Sequence, residues 1–174
     1  MQNTGTTDNL NFNLNYPVRV TKWWNMVNKA TLFDNRFTGQ LYEGYLDVGK
    51  WSYYLSTSQR FNIPGSVLLT LSARYNSPSQ TLIYYTEDNS NVGISLSKKV
   101  LKGQGSIRLG FSDLFKGQHN DVIVDFEDLH YIQHNTWESQ RAFIEFNWQF
   151  GNRKIKQHED RGSANAEEKD RSGS

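Results

Sequence analysis

Apolar residues occupy every even position near the end of the chain: Ala142, Ile144, Phe146, Trp148 and Phe150. Arg141, Glu145, Asn147 and Gln149 fill most of the odd ones. Side chains on a strand alternate between faces, so this segment has one greasy face and one wet face. The same alternation runs through 10–20. There Leu10, Phe12, Leu14, Tyr16, Val18 and Val20 oppose Asn11, Asn13, Asn15, Pro17 and Arg19. Asn is a poor strand former, and its repeated use on one face points to a water-filled surface. Pro17 has no amide to donate, which suits an edge strand or a bulge.

Four more stretches follow the period. In 50–62, Trp51, Tyr53, Leu55 and Phe61 oppose Lys50, Ser52, Ser56, Ser58 and Arg60. In the stretch from 67, Val67, Leu69, Leu71, Ala73 and Tyr75 oppose Thr70, Ser72, Arg74 and Asn76. That strand is expected to resume after a break near Pro78, through 82–85. In 92–100, Val92, Ile94 and Leu96 oppose Gly93, Ser95 and Ser97. In 106–114, Ile107, Leu109 and Phe111 oppose Ser106, Arg108, Gly110 and Ser112. A further strand over 25–37 has the weakest pattern, and 36–46 reads as a loop. Within 115–137, the segments 122–126 and 131–134 look extended, as in a long hairpin. No segment shows a helical period.

The connections alternate in length. Those at 21–24, 63–66 and 101–105 are short; those at 38–49, 86–91 and 115–138 are longer. Short turns at one end and long loops at the other mark an antiparallel, up-and-down meander of the outer-membrane barrel kind. The expected fold is therefore all-β: about seven strands of a partial transmembrane β-barrel over 9–151. A disordered or truncated start is expected over 1–8, and a disordered, charged periplasmic tail over 152–174. From Trp51 to Phe61, at ~3.3 Å per residue, the strand covers roughly 33 Å. Tilted by about 40°, it spans about 25 Å, the height of an apolar band in lipid. Trp51 then belongs to an outer aromatic girdle, and Trp23, Trp24, Phe61, Trp148 and Phe150 to an inner one. Arg60, Arg74, Arg108 and Arg141 all fall on the polar face and face the lumen. An odd count of strands cannot close antiparallel, whereas bacterial single-chain barrels have even counts.

Composition supports a wet-and-greasy wall. Hydrophobic residues make up 36% of the 174 residues, below the usual globular share, while aromatics reach 14%. The net charge of +1 gives no electrostatic case for nucleic acid. With no cysteine, neither a disulfide framework nor a thiolate metal site can form. No run of about 18 apolar residues exists, which excludes a transmembrane helix. Residues 1–8 have no basic and apolar signal regions. An exported barrel needs such a signal, so the expectation is either a soluble protein or a piece of a longer chain.

Four stretches resemble the C-terminal part of the outer-membrane β-barrel family typified by TonB-dependent receptors of Bacteroidetes. They are Thr21-Lys22-Trp23-Trp24-Asn25-Met26, Leu96-Ser97-Lys98-Lys99-Val100-Leu101-Lys102-Gly103, Leu109-Gly110-Phe111-Ser112-Asp113-Leu114-Phe115, and Trp137-Glu138-Ser139-Gln140-Arg141 leading to Phe146-Asn147-Trp148-Gln149-Phe150-Gly151. The family's mature barrel has 22 strands around an N-terminal plug. The resemblance implies a nutrient-uptake receptor that binds its cargo on outer loops and draws energy from the inner membrane. This chain would be inactive without the plug and the remaining strands. Implied partners are outer-membrane lipid, the rest of the barrel and its plug, the barrel-assembly machinery, a TonB-type energy coupler reached through N-terminal segments, and an unknown nutrient. Phe146, Trp148 and Phe150 resemble the assembly signal of terminal barrel strands.

Other chemistry is thin. Asp125, Glu127, Asp128, His130 and His134 form a dense titratable cluster, and His130 and His134 share a face if extended. A metal or acid–base site there is set against an ordinary solvated loop. No nucleophile stands at a telling distance from a base, so no enzyme and no cofactor are expected. Gly103, Gly105 and Gly110 are turn and barrel glycines, since no strand-to-helix step follows them. The lumen arginines either attract anionic solutes or pair with Glu145 and its like. The alternative to a membrane wall is a soluble β-barrel or sandwich that binds an apolar ligand, because closed soluble barrels also alternate.

Overall fold

A computed structural model describes residues 5–41 and 44–150; residues 1–4, 42–43 and 151–174, which include the expected charged tail, lie outside the described residues. The chain is all-β. Seven long strands form an antiparallel meander in the order β1 (Gly5–Arg19), β2 (Trp24–Leu41), β4 (Trp51–Ile63), β5 (Val67–Asn76), β8 (Asn89–Val100), β9 (Gly105–Ser112) and β12 (Arg141–Trp148). A short strand, β3 (Gly44–Val48), pairs with the far end of β2. The sheet is not closed: β1 and β12 are its two edges. Pro17 therefore sits on an edge strand, where proline is tolerated.

Three tight turns lie at one end. Thr21 accepts the backbone N–H of Trp24 on Oγ1 at 3.0 Å and closes the first. Pro64 and Gly65 make the second, with Gly65 at φ +84°. The third is a single 3-10 turn over Leu101–Gly103. Each sits where turn residues interrupt the period.

The opposite end departs from expectation. Residues 36–46 are not a loop. β2 continues to Leu41, and β3 folds back on it with Leu41 opposite Gly44. Glycine disfavours a strand, but β1 on one side and β3 on the other bond this extension, and that ladder outweighs propensity. For the same reason residues 5–8, expected to be disordered, are strand: Gly5–Asp8 pair with Arg36–Gly39. Residues 82–85 do not continue β5. Pro78 cannot donate to the ladder, so the chain leaves the sheet there. The 86–91 loop shrinks likewise, since Asn89–Asn91 already pair with Arg74–Asn76. A side-chain bond from Asn76 to Asn89, 2.8 Å, fastens that end.

The long connections fold into a second sheet of four strands: β11 (Leu129–Asn135), β10 (Asn120–Phe126), β7 (Tyr84–Thr86) and β6 (Ser79–Thr81). The expected hairpin within 115–137 is the β10–β11 pair. A Cβ on Gly44 would lie 2.7 Å from the Phe126 ring, so this cap presses on the β3 hairpin where glycine alone leaves room. Ser52 Oγ donates to the Pro78 carbonyl at 2.9 Å, and Lys50 Nζ stands 5.2 Å from the Tyr85 ring centre. Among the described residues the buried apolar side chains are Leu46 and Val124, one in β3 and one in the cap sheet. The long strands bury none, which removes the apolar interior that the soluble-binder alternative requires.

Candidate functional site

Residues paired directly across an antiparallel ladder share a face. Following the register from β1 to β12, the rows Leu14–Ala30–Leu55–Tyr75 and Leu71–Ile94–Phe111–Ala142 lie on one face. That face is a continuous apolar sheet and it is bare, with Leu14 63% and Ile144 75% exposed. The opposite face carries Asn11, Asn13, Asn15, Ser56, Ser58, Ser72, Ser95 and Ser97.

The weak pattern of β2 has a cause. Its apolar-face positions include Asn28, opposite Thr57. Thr57 Oγ1 donates to Asn28 Oδ1 at 2.7 Å, and Gln59 Nε2 donates to Thr57 Oγ1 at 2.7 Å. Trp24 Nε1 donates to Gln59 Oε1 at 2.8 Å. Polar side chains on this greasy face thus satisfy one another, as they must where water is scarce.

Five of the six girdle aromatics collect at the short-turn end. Trp24 and Phe61 are paired across the ladder with ring centres 5.7 Å apart, and Trp23 lies 6.4 Å and 6.0 Å from them. Trp148 and Phe150 pack as a tilted pair, ring centres 4.1 Å apart, beside the third turn. Trp51 stands alone at the other end, opposite Asp34. Phe146 shares the apolar face with Trp148, completing the aromatic run proposed for assembly.

Arg60, Arg74, Arg108 and Arg141 fall on the polar face, opposite Thr70, Ser56, Ser97 and Ser112 respectively. They do not converge on a point; each occupies its own rung. Arg108 reaches Glu145 at 3.8 Å and lies 5.4 Å from the Phe143 ring centre. Both ends of that ion pair are half-exposed, so it contributes under about 1 kcal/mol. Arg60 and Arg141 have no carboxylate within ion-pair range among the described residues, which leaves the polar face positively charged. Arg19, Lys29 and Lys99 add to it, opposite Asn25, Ser56 and Ser106. Lys29 escaped the sequence reading because it sits in the poorly patterned β2.

Phe143 covers Gly110 on the neighbouring strand. A Cβ there would stand 2.9 Å from the Ile94 carbonyl oxygen and push into the ring. Replacing Gly110 with Val is expected to cost about 1–3 kcal/mol through overpacking. A shifted urea midpoint for the detergent-folded chain checks this; an unchanged midpoint would count against the close packing.

Asp113 is a functional-looking residue that sequence reasoning passed over. It is fully buried where β9 ends. Its carboxylate accepts from Ser139 Oγ, from the Gly117 amide at 2.9 Å and from the Gln118 amide at 3.2 Å. Burial pushes its pKa up, but those three donors and the charge of Arg74 outweigh it and hold the carboxyl below its usual range. The residue ties both ends of the 113–140 connection to the wall. A signal existed, an Asp four residues before Gly117, but many surface loops read that way.

His130 and His134 do not form a joint site. They lie on separate rungs of β11, paired with Asp125 and Asp121, about 13 Å apart at strand rise. Both rings are exposed, so the acid–base centre that required them to converge lacks its geometry.

The whole two-faced meander lies inside one family match. The family model for outer membrane protein beta-barrels aligns over residues 1–148. The chain belongs to the outer membrane protein β-barrel family. Its location is the bacterial outer membrane. No curated protein and no solved structure matches it. Family membership accounts for a sheet whose bare apolar face would be untenable in water: large exposed patches mark membrane or partner contact.

Proposed function

We propose that this chain forms seven staves in the wall of an outer-membrane receptor of the TonB-dependent type, and that the receptor imports a nutrient. In this reading the apolar face meets lipid, with Trp51 in the outer girdle and the Trp23–Trp24–Phe61 cluster, Trp148 and Phe150 in the inner one. The polar face lines the lumen, where Arg60, Arg74, Arg108 and Arg141 favour anionic solutes. The capped end faces outside and meets the cargo. A plug, further staves, the assembly machinery and an inner-membrane energy coupler are its partners.

The observation that carries this reading is the direction of the two open edges. β1 and β12 both run toward the short turns. Two strands pointing the same way cannot join in an antiparallel ladder. Closure therefore needs an odd number of additional staves, which supports reading this sheet as a portion of a larger wall. Unclosed edges do not occur in the hydrocarbon region.

Uptake measured in the source bacterium tests the proposal. Disrupting the gene should abolish growth on a limiting nutrient, and collapsing the inner-membrane proton gradient should stop uptake by the intact strain. Uptake that survives the collapse would overturn energy coupling. A chain that stays monodisperse without detergent would overturn the wall itself.

A further inference from the structure

We propose that the outward cap carries a binding site for a divalent first-row transition cation of the Zn²⁺ class, built from Glu87, His119 and Asp121. Ligand atoms of Glu87, His119 and Asp121 all lie within 4.8 Å of one another. His134 Nδ1 is 3.3 Å from Asp121 Oδ1. The sequence cluster at 125–134 pointed elsewhere: none of its members belongs to this group, and Glu87 comes from a different connection.

The backbone places these groups without help from an ion. Glu87 donates its amide to the Asp121 carbonyl at 2.9 Å, just beyond the pairing of Thr86 with Val122. His119 and Asp121 flank Asn120, the first residue of β10, with their ligand atoms close together. His134 stands opposite Asp121 across the β10–β11 ladder. Two connections thus deliver three ligands to one spot, with His134 beside Asp121.

Asp121 supplies the independent observation. Its Oδ1 atom is buried and receives no hydrogen bond. His134 Nδ1 is near but not aligned to donate to it. A buried carboxylate oxygen without a donor is costly, and a cation satisfies it. The chemistry suits the Zn²⁺ class: an imidazole and two carboxylates are N and O donors of the kind it takes, and two carboxylates neutralise a double charge. Mg²⁺ and Ca²⁺ prefer oxygen alone. A cavity of about 610 Å³ lies alongside, lined by His119, Asp121, Trp137 and Glu138 among others, and gives the ion a path from solvent. Once bound, the ion would pin the 77–88 connection to the 113–140 connection.

Titrating Zn²⁺ into the untagged, detergent-folded full chain by calorimetry tests this, with Co²⁺ absorption as a second readout. One equivalent should bind, and Co²⁺ should show visible bands of a nitrogen- and oxygen-ligated site. His119→Ala and Glu87→Gln should each weaken Zn²⁺ at least as much as loss of an outer-shell partner does, about 10–100-fold. His130→Ala, on the other histidine rung, should bind like the parent. Glu87→Gln keeps the backbone bond and side-chain size, so it serves if His119→Ala misfolds. Absence of binding by the parent chain, or undiminished binding by Glu87→Gln, would overturn the site.

Discussion

Arginine in place of Leu71 is expected to destabilise the folded wall by about 2–4 kcal/mol, the cost of a cation at the midplane of a barrel's lipid face. Leu71 sits halfway along β5, between Gln59 and Ile94 on the apolar face. A guanidinium there must snorkel past roughly half of the band on either side or thin the bilayer. Ser58, on the adjacent strand, lies on the polar face between Val27 and Ser72. Ser58→Arg adds the same charge to the wet side and should change stability by well under about 1 kcal/mol. Urea unfolding of both variants in lipid vesicles measures the difference. Equal costs on the two faces would mean that the apolar face does not meet lipid. Both variants introduce the same guanidinium, so the excess cost on the apolar face reports its contact with lipid.

How far the sequence can be read follows from where the fold relies on local pattern. Strands with alternating side chains were legible because the period itself is the signal. β1, β4, β5, β9 and β12 stand where Leu10, Trp51, Val67, Ile107 and Ala142 begin or continue an alternation. β2 was weak because Asn28 occupies an apolar-face position, made tolerable by Thr57 and Gln59 on the next strand. A hydrogen bond across 29 residues leaves no trace in local pattern. β3 and the far end of β2 were hidden by Gly39 and Gly44, whose propensity is overridden by pairing. The cap sheet was half-visible. β10 and β11 have enough residues to show a period, while β6 and β7 have three residues each and cannot. The site residues followed the same division. Face membership of Arg60, Arg74, Arg108 and Arg141 came from parity alone, but the meeting of Glu87 with Asp121 needs the β7–β10 pairing. An i, i+4 spacing drew attention to His130 and His134, and on a strand that spacing separates rather than joins.

Asp113→Ala is expected to release the 113–140 connection while leaving the wall folded. The three donors that Asp113 satisfies would be left partly buried without an acceptor, a loss on the order of 2–4 kcal/mol. Lys116, exposed and held at φ +56° in the same knot, is a ready trypsin site once the turn opens. Cleavage after Lys116 tracks the open population, so the variant should be nicked on the order of 10–1000 times faster than the parent. β9 and β12 remain paired through eight rungs, so the resistance of the wall fragments should not change. Acid should mimic the substitution, and the sign is set by the depressed pKa. The carboxylate binds its proton more weakly in the folded chain than at its ordinary value near 3.8. Its contribution is complete above that value and is lost as pH falls through the lower folded value. Nicking by an acid-active protease should therefore accelerate only below about pH 4 in the parent and show no such step in Asp113→Ala. Asp113→Asn retains the shape but not the charge, and its nicking rate should lie between the two. A parent-like rate in Asp113→Ala would show that the buried carboxylate does not hold the connection.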